Sequence, residues 1–188
     1  MAFTPISIIG RKESFMEKFD EKTIQRLFDR NLKTAKEGLA SLTFCSRGAP
    51  SFKGLSGWVF EQTVQDCLRK ELKALGIRAE IHEQVSLGGR AKADFLIGTI
   101  AMEVKTSGLF DRNAASRYRR YRTAAEEKGY VYLYLTLHET WLPYRQAMLK
   151  ALGQRNAFFL DTLGDWRRLI DRTINLLDER AKQVQESC

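Results

Sequence analysis

Three charged residues lie within two short apolar runs of the chain, where a β-strand ordinarily carries none. Asp94 lies in the run AKADFLI, and Glu103 and Lys105 lie in the run IAMEVK, with Gly98-Thr99 between the two. Charged side chains are rarely buried unless they are paired or bind a metal. Two carboxylates and a lysine supply oxygen ligands and a proton-donating cation, which suits metal-assisted hydrolysis of a phosphodiester.

A tight turn is expected to bring these charges together. The two-residue connection at Gly98-Thr99 predicts an antiparallel hairpin, and side chains alternate between the faces of a strand. The core face should carry Phe95, Ile97, Ile100, Met102 and Val104. The opposite face should carry Lys92, Asp94, Leu96, Ala101, Glu103 and Lys105. Because cross-strand neighbours lie close together, the two acids and the lysine are expected to converge.

A plainer interpretation of the same charges stays open. Asp94 and Lys105 could form an ordinary ion pair on a solvated sheet face, with Glu103 as their neighbour. In that case Asp94→Asn would change stability more than any activity.

The amino-acid composition limits which chemistry and which class of protein can be expected. The chain of 188 residues has only two histidines, far apart, and three scattered cysteines without a CxxC pattern. A disulfide framework, a zinc site and a serine-type triad are therefore poorly supported, and oxygen ligands favour Mg²⁺ or Mn²⁺. No apolar run approaches the roughly 20 residues that span a bilayer, so we expect a cytoplasmic protein with no membrane partner.

Hydrophobic periodicity predicts a single α/β domain with a mixed sheet sandwiched by helices. The predicted helices are Thr23–Leu39, Trp58–Leu75, Asp111–Lys128 and Asp165–Arg180. The predicted strands are Arg78–Leu87, the two runs of the hairpin, Tyr130–Leu137 and Ala157–Leu160. Residues 1–55 would form a helical N-terminal extension, residues 56–137 a catalytic core, and residues 138–188 a C-terminal strand and helix.

Basic residues near the hairpin suggest a surface for nucleic acid. The net charge is +8, and the segment Arg112–Arg122 carries five arginines and no acid. On a helix, Arg117, Arg120 and Tyr121 share a face, and arginine and tyrosine suit phosphate and sugar contacts. Arg90 and Lys92 come just before the hairpin charges and are expected to bind a phosphate beside Asp94. Alternatively, the arginines are simply solvated and the tyrosines Tyr118 and Tyr121 pack on the sheet. Any sequence readout would come from the predicted loops Cys45–Leu55 and His138–Asn156.

The order helix–strand–strand–strand–helix–strand, with an acid on the second strand and Glu-x-Lys on the third, resembles the PD-(D/E)XK nuclease superfamily. The resemblance covers roughly residues 57–137 and implies a restriction-endonuclease-like αβββαβ core. It implies that Asp94, Glu103 and the backbone carbonyl of Val104 bind the metal, that Lys105 is the motif lysine, and that Glu61 is the helix glutamate of many members.

Three features depart from the pattern, and the first is that only eight residues separate Asp94 from Glu103, a short hairpin for the family. Ala93 stands where the motif name has proline, and Arg117-x-x-x-Tyr121 lacks the glutamine that some branches carry on the following helix. The resemblance implies a Mg²⁺-dependent endodeoxyribonuclease of restriction or junction/repair type. A double-strand break would favour a homodimer, since one site cuts one strand. A non-catalytic nucleic-acid-binding protein of the same fold and an RNA nuclease remain alternatives.

Overall fold

Five strands form one mixed sheet in the computed structural model, which describes residues 19–42, 54–107, 113–138 and 142–186. The strands are β1 (Ile81–Gly88), β2 (Ala91–Ile97), β3 (Ile100–Ser107), β4 (Val131–His138) and β5 (Ala157–Phe159). The helices are α1 (Glu21–Leu42), α2 (Leu55–Ala74), α3 (Ala114–Glu126), α4 (Leu142–Leu152) and α5 (Asp165–Glu186). The predicted α/β class is confirmed.

The sheet runs in the order β1-β2-β3-β4-β5. The pairs β1/β2 and β2/β3 are antiparallel, whereas β3/β4 and β4/β5 are parallel. Strand β4 lies inside the sheet and is buried along nearly its whole length, as its continuous apolar character predicts. Among the described residues, no helix is long and apolar enough to cross a bilayer.

Each face of the sheet has its own core. Helices α1, α2 and α5 contribute to one core, and α3 and α4 contribute to the other. The first core includes Ile24, Phe28, Phe60, Leu68, Met102 and Ile170, and the second includes Ala101, Tyr118, Tyr132, Tyr134 and Met148. The predicted sandwich of a mixed sheet between helices is therefore confirmed.

Helix α1 is joined to the rest of the chain at its start by two buried or half-buried hydrogen bonds. The backbone N–H of Trp166, in the first turn of α5, donates to Glu21 Oε1 at 2.9 Å. The backbone N–H of Phe19 donates to Glu71 Oε1 on α2 at 3.1 Å. A carboxylate suits the first turn of a helix, where backbone N–H groups lack partners, so α1 supplies a cap for α5.

Helix α4 corrects the interpretation of His138–Asn156 as a loop. Its buried residues Tyr144, Met148 and Leu152 recur every four positions, which is a helical period. Pro143 lies in the first turn of this helix, where proline is well tolerated. The predicted loop Cys45–Leu55 lies almost wholly outside the described residues, and Leu55 begins α2.

Candidate active site

The predicted hairpin forms with the predicted turn. Strand β2 ends at Ile97 and β3 begins at Ile100, and Phe95 pairs with Met102. Gly98 has a φ of 57°, and a Cβ added there would lie 2.9 Å from Leu177 Cδ2 on α5. Both the positive φ and the close approach require glycine. The turn therefore fixes a register in which Asp94 is the next residue opposite Glu103.

Asp94 leaves the regular ladder at this point and bonds to the backbone of β3. Its Oδ2 accepts a hydrogen bond from the Val104 backbone N–H at 2.7 Å. Val104 is buried, so its N–H needs a partner inside the protein. The carboxylate of Asp94 takes the place of a strand carbonyl, and this bond fixes where the acid points.

Strict alternation along β2 breaks next to Asp94. Ala93 lies in the same core as Leu96, although residues three apart on a regular strand face opposite sides. The prediction that Lys92 and Leu96 share one face is therefore wrong. On β1, Gln84 has a φ of 54° between the pairs Glu83↔Phe95 and Val85↔Ala93. This left-handed residue accounts for the change of face, because it reorients the strand locally.

The charged groups converge on the ammonium of Lys105, which is surrounded by three oxygens. Its Nζ lies 3.1 Å from Asp94 Oδ2 and 2.6 Å from Glu103 Oε1. It also donates to the backbone carbonyl of Val104 at 3.1 Å. These three oxygens are the ones that the sequence assigned to a metal, and here they surround a single positive charge.

The site is closed on one side and open on the other. The side chain of Glu103 is 7% exposed, whereas those of Asp94 and Lys105 are 19% and 30% exposed. Burial raises the pKa of Glu103 to about 7, against the opposing charge of Lys105. Burial alone lowers the pKa of Lys105, but the charges of Glu103 and Asp94 outweigh it and raise that pKa. The lysine is thus held as a cation at the solvent-accessible edge of the site.

Helix α2 brings Glu61 towards this cluster. Glu61 is buried, and its Oε1 accepts a hydrogen bond from Gln65 Nε2 at 3.4 Å, while Arg69 donates to Gln65 Oε1 at 3.1 Å. Burial and then the charge of Asp94 raise the pKa of Glu61 to about 7. The described structure places Glu61 within electrostatic reach of the cluster, and its catalytic role stays a prediction.

The raised pKa of Glu61 predicts a pH-dependent change in stability. The folded protein binds the proton of Glu61 more tightly than a free carboxyl, whose pKa is 4.5. The free energy of unfolding therefore loses a contribution as the pH rises from about 4.5 to about 7. We expect Glu61→Gln to remove this loss and to be more stable than the parent by about 1–2 kcal/mol above pH 7, but not at pH 4.5.

Urea unfolding between pH 4.5 and 8 in the presence of a chelator measures this difference. The control is Asp66→Asn, because Asp66 is an exposed acid on the same helix that pairs with Arg69. A constant difference between Glu61→Gln and the parent across this pH range would contradict the prediction.

A metal at this site would draw on few side chains. Within the described ranges, no three His, Cys, Asp or Glu side chains are grouped closely enough to hold a metal ion by themselves. The available set is two carboxylates, Asp94 and Glu103, with the carbonyl of Val104. This set suits Mg²⁺, which binds oxygen, retains several waters and commonly uses only one or two carboxylates.

Tyrosines that the sequence analysis did not assign to the site surround Glu103. Tyr118 on α3 packs on Tyr134 with ring centroids 5.1 Å apart, and Tyr134 is the β4 partner of Glu103. Burial raises the pKa of Tyr118 and Tyr132, and the charge of Glu103 adds to this effect. The signal was the alternation of tyrosine at positions 130, 132 and 134, which places them on one face of β4.

The predicted nucleic-acid residues divide into two groups. Arg117 interacts electrostatically with Glu103 and lies 5.2 Å from the ring centroid of Tyr118, so α3 brings it near the site. Tyr121 is half-buried and packs edge-on against Tyr118 at 6.0 Å, and Arg120 is exposed. Tyr118 itself is buried, as the packing alternative expects.

Arg90 and Lys92 lie at the other end of β2 from the turn at Gly98, and both are exposed. Arg90 belongs to the turn between β1 and β2, and Lys92 follows it in the strand. Their contact with a phosphate stays a prediction.

Comparisons of the chain with known protein families, with curated proteins and with solved structures gave no match. The chemistry of the site therefore rests on its own geometry: two acids, a main-chain carbonyl and a lysine at the end of a β-hairpin.

Proposed function

We propose that the protein is a Mg²⁺-dependent endodeoxyribonuclease that hydrolyses phosphodiester bonds in DNA. The order α2-β1-β2-β3-α3-β4 supports a restriction-endonuclease-like core, with α1, α4 and α5 as additions. Restriction-type and junction- or repair-type cleavage both fit this proposal.

One observation carries the proposal. Asp94 Oδ2, Glu103 Oε1 and the Val104 carbonyl all lie within 3.1 Å of one positively charged atom, Lys105 Nζ. Charges are costly to remove from water, so an arrangement that gathers two carboxylates around one point needs a cation there. Mg²⁺ or Mn²⁺ would satisfy the same oxygens once the flexible lysine side chain moves aside.

Each residue of the site has its own role in the proposed reaction. Asp94, Glu103 and the carbonyl of Val104 would hold the metal, which when bound would polarise the phosphate and activate a water. Lys105 would offset charge on the phosphate and donate a proton to the leaving oxygen, while the attacking water gives up its own proton to solvent. Glu61, whose pKa is about 7, orients water from α2 in either protonation state. Arg117 neutralises charge on the phosphate from α3.

A specific feature of the site supports a second candidate, a non-catalytic nucleic-acid-binding protein of the same fold. Lys105 already pairs with both acids, so the cluster has a cation at its centre without a metal. Such a protein would bind DNA equally well with and without Mg²⁺, and it would leave the DNA intact.

Incubation with supercoiled plasmid tests the proposal. The purified protein is mixed with plasmid in Mg²⁺, in Mn²⁺ and in a chelator, and the products are separated by electrophoresis. We expect nicked or linear plasmid only with a metal. Parallel reactions with single-stranded RNA and branched DNA distinguish an RNA nuclease and a junction nuclease. Intact substrates under every metal, with DNA binding retained, would overturn the proposal in favour of the binding protein.

A further inference from the structure

An exposed tryptophan lies one helical turn from Glu61 on α2. Trp58, in the first turn of α2, is 58% exposed, whereas Trp166 on α5 is buried. A single exposed apolar side chain on a surface is ordinary. Trp58 is of interest because of its position relative to Glu61 and Gln62.

Helical geometry places Trp58 on the face of α2 that looks towards the hairpin. Glu61 and Gln62 follow it by three and four residues, so they are its neighbours on the helix surface. Glu61 interacts electrostatically with Asp94, and Gln62 donates a hydrogen bond to Glu83 on β1 at 3.2 Å. Trp58 therefore lies on the same face of α2 as Glu61, which approaches β2, and Gln62, which contacts β1. It is one turn nearer the start of the helix than they are.

The distance between Trp58 and Glu61 along α2 suits contact with a nucleotide. Side chains three residues apart on a helix have Cβ atoms about 5–6 Å apart, a distance covered by one or two nucleotides at about 3.4 Å each. The indole is a flat, rigid surface on which any base can stack. The chain carries a net charge of +8, which favours a polyanionic partner.

We propose that Trp58 stacks on a base of the nucleic acid whose phosphate lies at the Asp94–Glu103–Lys105 cluster. This inference rests on the proposed function and specifies its substrate. In an intact duplex the faces of the bases are covered by their neighbours, so a side chain reaches them only in single strands, flaps, gaps or distorted sites. The protein should therefore prefer DNA with unstacked bases over intact linear duplex.

Binding measured by fluorescence anisotropy without metal tests this inference separately from cleavage. The probes are a labelled 20-nucleotide single strand and the duplex of the same sequence. The proteins are the parent, Trp58→Ala, Trp58→Phe, and Leu163→Ala as the control, since Leu163 is 90% exposed. We expect Trp58→Ala to lose about tenfold or more in affinity for the single strand, less than threefold for the duplex, and Trp58→Phe to retain most of the affinity.

Equal losses on both probes, or no loss in Trp58→Ala, would overturn the stacking proposal. Its failure is distinguishable from failure of the proposed function. A parent protein that cuts plasmid while Trp58→Ala binds normally contradicts stacking alone. A parent that cuts nothing, yet loses single-strand binding in Trp58→Ala, contradicts the nuclease and supports the stacking contact.

Discussion

Lys105→Ala is expected to lower metal-dependent DNA cleavage by about 10²–10⁴-fold, the usual contribution of a positioned proton donor. The same variant should bind Mn²⁺ more tightly than the parent protein. The reason is that Lys105 Nζ occupies the point where Asp94 Oδ2, Glu103 Oε1 and the Val104 carbonyl meet, so a divalent cation must displace this ammonium in the parent protein but not in the variant. Plasmid cleavage and calorimetric titration with Mn²⁺ measure the two effects.

The prediction is specific because Lys105→Ala should lose cleavage while it gains affinity for Mn²⁺. Lys70→Ala is the matched control, because Lys70 is exposed on α2, and it should change neither quantity. The melting temperature of Lys105→Ala should rise more on addition of Mn²⁺ than that of the parent, since a ligand that binds the folded state stabilises it. Unchanged or weaker Mn²⁺ binding in Lys105→Ala would contradict a shared site for the ammonium and the metal.

Asp94→Asn and Asp94→Ala are expected to lose cleavage alike, by at least about 100-fold, but to differ in stability. The Asn side chain keeps an oxygen that can accept the Val104 N–H, which now donates to Asp94 Oδ2 at 2.7 Å. The Ala side chain leaves that buried N–H without a partner, at a cost of about 1–3 kcal/mol in the free energy of unfolding. Urea unfolding of both variants without metal measures the difference.

Asp66→Asn provides the control for a lost acid, because Asp66 pairs with Arg69 on the surface. Full cleavage by Asp94→Asn would show that the charge of Asp94 is not needed, and it would favour the plain ion-pair interpretation. Equal stability of Asp94→Asn and Asp94→Ala would show that the hydrogen bond to Val104 contributes little.

Most helices and strands, and the convergence of Asp94, Glu103 and Lys105, could be predicted from patterns that extend over only a few residues. The Gly98-Thr99 turn joins two strands of clear period, so the pairing of Phe95 with Met102 and the meeting of Asp94 with Glu103 could be derived from the sequence. The helices α1, α2 and α5 were recognisable because each carries an apolar stripe, and α3 because it lies between Gly108 and Gly129. Helix α4 was missed because His138–Asn156 was interpreted as one loop, although its buried side chains Tyr144, Met148 and Leu152 recur every four residues.

Other features depend on contacts that a sequence pattern does not contain. The bond from the Val104 N–H to Asp94 exists because the regular ladder stops there, and alternation alone would have continued it. The left-handed conformation of Gln84 has no signal in its residue type, since glycine and asparagine are the usual residues there. The lysine at the centre of the three oxygens also required side-chain positions, because spacing gives only the strand and face on which a side chain lies.

The bond between Glu21 and the Trp166 N–H has a consequence for how the chain reaches its native state. These residues are 145 positions apart, so α1 obtains this partner only after the chain has been synthesised as far as Trp166. Contacts between distant parts of a chain slow folding. The apolar stripe of α1 packs mainly on α2, so it stays uncovered in the nascent chain until α2 has been made, and exposed apolar surface of this kind is what chaperones bind.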